Sequence, residues 1–182
     1  MIYAGSMDLT RLAEVIDPEF MSDYQSWSLD ELRIKRKEAE QVEAAISYAR
    51  RIIQGRIDIF EKYLNGELGL QTPETLSVAS EAIADHVIAS NSRIMHNDIS
   101  ADYLLPAPSD ISKFTGIDLE KIPVEVSDLK LLLPEYIRVE KMLSNYRRQL
   151  HRVIDELRTQ LVLRYQSGEI NVDSILSSTE EG

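Results

Sequence analysis

The chain has 182 residues, with 20 Lys and Arg against 31 Asp and Glu, a net charge of −11. That balance argues against a protein that coats nucleic acid, which needs surplus cations, and suits a basic partner. The absence of cysteine excludes a disulfide scaffold, a zinc–thiolate centre and a thiol nucleophile.

At roughly 150 residues per domain the length predicts a single domain. No run approaches the roughly 18 consecutive apolar residues of a membrane-spanning helix. The first ten residues show neither a basic n-region nor an apolar h-region, so no signal peptide is read. Ala4 to Met7 is compatible with a cloning remnant ahead of a native Met7. The expected location is the cytoplasm, with no membrane partner.

In chain order, residues 1–27 form a flexible or docking terminus in which Leu12, Val15 and Ile16 suggest an amphipathic turn or two. The first motif helix is expected over 28–65. Ser28-Leu29-Asp30-Glu31 has capping-box form, no proline follows until Pro73, and Asn65-Gly66 supplies a left-handed stop. Such a helix is about 55 Å long and needs a long partner. Residues 66–126 are expected to form a connector, with a short helix from about 74 to 90 opened by Pro73-Glu74. A loop-rich stretch follows, punctuated by Pro106, Pro108, Gly116 and Pro123. The second motif helix is placed at 127–167. Pro134 suits its first turn, with Ser127 as the earliest start, and Gly168 suits its stop. Residues 168–182 are read as a second flexible or docking terminus.

The two long helices repeat each other 97 residues apart. Leu32, Ala39, Ile46, Ile53 and Phe60 fall seven apart in the first. Leu129, Tyr136, Leu143, Leu150 and Leu157 do the same in the second. Apolar rows at period seven are a coiled-coil seam, so the fold class is all-α, a helical hairpin. Connector length alone leaves parallel and antiparallel arrangements open.

The second seam row reads Glu43, Arg50, Ile57, Leu64 and then Glu140, Arg147, Ile154, Leu161. Glu and Arg stand where a simple zipper has aliphatics. Around them run Glu43, Ser47, Arg50, Gln54, Asp58 and Glu140, Ser144, Arg147, His151, Asp155. Steps of four, three, four and four keep each set within about 80° of one helix face. An Arg fork suits guanine O6 and N7, carboxylates accept from guanine N1 and N2, and Ser and Gln reach base or phosphate oxygens. That inventory suits a guanine nucleotide lying between the helices. Gly55, which costs about 1 kcal/mol inside a helix, could admit a close approach. The competing reading is structural: Glu43 with Arg147, and Arg50 with Glu140, would merely set register across an antiparallel hairpin.

The doubled pattern E-x3-S-x2-R-x3-Q-x3-D resembles the signature of the RsiG family of actinobacterial anti-sigma factors. Residues 38–60 (EAEQVEAAISYARRIIQGRIDIF) look like the first copy with its flanks, and Glu140 to Asp155 like the second. The resemblance implies an antiparallel hairpin that binds a dimer of cyclic di-GMP and, when loaded, sequesters a sporulation sigma factor of the WhiG type. Carried over by position, Glu43, Ser47, Arg50, Gln54 and Asp58 would line one half of the site. Glu140, Ser144, Arg147 and Asp155 would line the other. His151 departs from the pattern, standing where Gln is expected, and is kept as a candidate because imidazole also donates. Arg50, Arg51, Arg147 and Arg148 would supply cations for the anionic ligand.

No Walker-type loop occurs, His86 and His96 stand alone, and His151 with Asp155 lacks further metal ligands. An enzyme, a metal centre and direct DNA binding are therefore not expected. The basic run Arg33, Lys35, Arg36, Lys37 reads as a solvated face paired to nearby Glu. The alternative function is a structural coiled-coil adaptor without a small-molecule ligand.

Overall fold

The computed structural model describes residues 9, 11–67, 105–121 and 125–167. The helix expected at 74–90, the stop at Gly168, His86, His96 and the C-terminal segment lie outside the described residues. Among those described, the elements are α1 (Arg11–Ile16), a 3-10 turn (Pro18–Met21), α2 (Leu29–Leu64), α3 (Pro108–Thr115) and α4 (Val126–Gln166). All of this structure is helical, and α2 and α4 pack along each other as an antiparallel pair. Phe60 of α2 meets Tyr136 of α4, while Arg33 near the start of α2 bonds Tyr165 near the end of α4.

Local chemistry sets the ends of α2. Ser28 Oγ accepts from the Glu31 N–H at 3.2 Å, and Glu31 Oε2 accepts from the Ser28 N–H at 2.6 Å, so two otherwise orphaned donors are satisfied. The hydrogen bonds from Ser28, backbone first, hold the Glu31 carboxyl below its ordinary range. At the other end Gly66 adopts φ +73°. Its N–H reaches Tyr63 O at 3.1 Å and the Glu67 N–H reaches Lys62 O at 3.0 Å, the paired bonds of a Schellman stop.

The period-seven rows form the centre of the hairpin. Leu32, Ala39, Ile46, Ile53 and Phe60 are buried, as are Leu129, Tyr136, Leu143, Leu150 and Leu157. Phe60 and Tyr136 close one end edge to face, with ring centroids 5.2 Å apart.

Two boundaries differ from the sequence reading. Helix α4 starts at Val126, so Pro134 lies inside it rather than in its first turn. Proline there removes one backbone bond. Leu129, fully buried in the seam five residues before Pro134, anchors the preceding segment as helix, and Pro134 itself faces solvent. The stretch read as loop contains α3. Pro108 opens it at the first helical position and Gly116, at φ +75°, closes it, so residues taken as breakers in fact bracket a helix. Asp110 Oδ2 accepts from the Ala107 N–H at 3.3 Å, and Ile111 is fully buried beneath it.

The N-terminal segment docks. Leu12, Val15 and Phe20 are buried, Arg11 pairs with Glu38 at 3.4 Å, and Tyr24 Oη donates to Glu156 at 3.2 Å. Arg164 donates to the carbonyl oxygens of Tyr24, Gln25 and Trp27. The 105–121 segment docks further along. Arg56 donates to Leu119 O, Phe114 packs on Tyr146, and Ile117 and Leu119 are buried. At 100° per residue, Glu38, Arg56, Tyr146, Glu156 and Arg164 all lie on one flank of the seam. Glu43 and Glu140 lie on the other. The basic run of α2 is paired locally, Arg33 to Asp30, Lys35 to Glu38 and Arg36 to Glu40.

Leu143→Ala, at a fully buried seam position, is expected to lower unfolding stability by about 2–5 kcal/mol in urea titration. Ser28→Ala is expected to cost about 1 kcal/mol through loss of the cap. A Leu143→Ala effect below about 1 kcal/mol would show that the seam does not carry the hairpin.

Candidate functional site

The polar stripe occupies the flank that neither docked segment covers. Antiparallel pairing brings the two copies of the motif together head to tail, and each copy serves the other. Glu43 Oε1 accepts from Ser47 Oγ one turn away at 2.6 Å and from Arg147 Nε across the interface at 3.1 Å. His151 Nε2 stands 3.4 Å from the same oxygen. The second half repeats the scheme. Glu140 Oε1 accepts from Ser144 Oγ at 2.7 Å, from Arg50 Nη1 at 3.2 Å and from Gln54 Nε2 at 3.3 Å. A pseudo-twofold axis across the hairpin thus exchanges Glu43 with Glu140, Ser47 with Ser144, Arg50 with Arg147 and Gln54 with His151.

The halves are not equivalent. Arg50 and Glu140 are each about 20% exposed, whereas Arg147 is 41% exposed beside an 18% exposed Glu43. Arg147 Nε also donates to Ser47 Oγ at 3.0 Å. Arg50 Nε is buried with no hydrogen-bond partner among the described residues. One half therefore holds a guanidinium with an uncommitted donor, and the other a more open guanidinium beside an imidazole.

Eight of the ten candidate residues join this network. Asp58 and Asp155 stand exposed at its two ends, with no side-chain partner among the described residues. Of the four cations nominated for an anionic ligand, Arg50 and Arg147 face the opposite helix. Arg148 departs from that expectation: it is exposed on the outer face of α4, within 3.5 Å of Asn145 Oδ1. Gly55 sits within α2, half-buried. Sequence inspection had missed Arg56 and Arg164, which tie the docked segments down through carbonyl oxygens. Their targets have no side-chain signature, so no motif could have signalled them.

The cluster is self-neutral: two guanidiniums face two carboxylates. Half-buried pairs of this kind gain from proximity and lose from desolvation, so their net contribution is small while removal of one partner is costly. A double-mutant cycle on Arg50→Ala and Glu140→Ala is expected to give a coupling of about 1 kcal/mol. A coupling indistinguishable from zero would mean that the pair contributes nothing to stability.

Comparison with known proteins is informative at one point. The model of a family described as RsiG-like matches residues 18–82. No curated protein and no solved structure matches the chain. The matched stretch contains α2 with the complete first copy of the motif, and the second copy lies beyond it. Over residues 18–82, then, the chain is similar to the RsiG-like family.

Proposed function

We propose that the chain is an anti-sigma factor that binds a cyclic di-GMP dimer on the open flank of its hairpin and, when loaded, sequesters a sigma factor of the WhiG type. The observation that carries this reading is the doubled, pseudo-twofold cluster of Glu, Ser, Arg and Gln or His on the flank that the docked segments leave open. The RsiG-like match over the first copy supports the anti-sigma role.

The donor set fits guanine. A guanidinium can bond O6 and N7 in a fork, and a carboxylate accepts from N1 and N2. Each half offers one of each, so two guanine-bearing ligands related by the pseudo-twofold would each meet a guanidinium and a carboxylate. Arg50 Nε supplies a buried donor still lacking an acceptor.

A second reading has its own support. The Glu43–Arg147 and Arg50–Glu140 pairs are formed within the chain itself, at 3.1 and 3.2 Å. A coiled-coil adaptor that used them only for register would show the same contacts.

Calorimetric titration with cyclic di-GMP separates the two. Saturable heat at two ligands per chain is expected, with none for GTP or cyclic di-AMP. Arg50→Ala and Arg147→Ala should abolish that heat while leaving the helical circular dichroism intact. Loss of stability well beyond about 1 kcal/mol in both variants, with no ligand heat in the parent, would favour the adaptor.

A further inference from the structure

A strongly basic stripe runs along the outer face of α4, in a chain whose net charge is −11. Arg138, Lys141, Asn145, Arg148 and Arg152 follow one another at steps of three, four, three and four. That spacing keeps them within about 80° of one another, on the side facing away from the seam. All five are exposed. Arg138 is paired with Glu135 at 2.8 Å, and Arg148 reaches only Asn145. Among the described residues Lys141 and Arg152 form no ion pair.

The ordinary fate of a helical surface cation is a carboxylate three or four residues away, as on α2. Beyond Arg138, the cations of the α4 stripe lack that pairing among the described residues. Between Glu135 and Asp155 the only carboxylate is Glu140, which points into the interface and is taken by Arg50, Gln54 and Ser144. Unpaired like charges on one face repel, a cost that a complementary partner would relieve.

We infer that this face docks an acidic protein segment about four helical turns long. The length follows from the basic run, Arg138 to Arg152, about 21 Å long and bounded by Glu135 on one side and by Asp155 with Glu156 on the other. An extended polyanion such as duplex nucleic acid would overrun those carboxylates and meet the acidic remainder of the chain. A short acidic helix would not. The stripe borders the candidate ligand flank but is independent of it, since none of its residues belongs to the polar cluster.

The test is fluorescence anisotropy of the full chain against a labelled Glu- and Ala-rich helical peptide of about four turns, and separately against a short labelled duplex DNA. Binding of the peptide at low ionic strength is expected, weakening as salt is added. Lys141→Glu/Arg152→Glu should lose it at least about tenfold with unchanged thermal unfolding, because both side chains are exposed. Lys37→Glu/Lys62→Glu makes the same change in net charge on α2 and should retain it. No peptide binding, equal loss in the α2 control, or tighter binding of DNA through the same two residues would each overturn the inference. The last outcome would mark the stripe as a nucleic-acid face.

Discussion

The structure depends on one constraint: two helices that must bury a period-seven apolar row against each other along their whole length. Leu32 to Phe60 and Leu129 to Leu157 do so almost completely. With those rows central, the neighbouring positions at the same period are forced to the margin of the interface. Glu43, Arg50, Glu140 and Arg147 occupy those marginal positions. They are sheltered enough to strengthen electrostatic contacts and open enough to keep part of their hydration.

Once the seam is set, the hairpin has two flanks, and the chain treats them differently. The N-terminal segment and the 105–121 segment add apolar cover to one flank, burying Val15, Phe20, Ile111 and Leu119 against it. Arg164 and Arg56 fasten these segments through backbone carbonyls. The opposite flank carries no such cover among the described residues and presents the polar cluster. A ligand site on a long hairpin needs this division. An uncovered pair of helices offers too little apolar area for stability, and one covered on both sides offers no access.

Exchange of partners across the antiparallel pair gives the cluster its symmetry. A parallel pair would set Glu43 against Glu140 and Arg50 against Arg147, like against like. Antiparallel pairing converts the same repeat into two Glu–Arg contacts, so electrostatics and the apolar seam favour the same topology. His151, standing where the first copy has Gln54, breaks the symmetry at one place.

Much of this was legible in the residues. Heptad spacing marked the seam, the capping box and the Asn65-Gly66 stop bounded the first helix, and the offset of 97 residues exposed the doubled motif. Such features are local or periodic, and they survive reading in one dimension. Direction of pairing, the exchange of Glu and Arg between copies and the exposure of Asp58 and Asp155 depend on which groups meet across the interface, which spacing alone does not state. Helix α3 was missed because Pro108 and Gly116 are ambiguous until the burial of Ile111 shows what they enclose. The continuation of α4 upstream of Pro134 was likewise a tertiary decision, made by the seam contact of Leu129 against the local preference of proline.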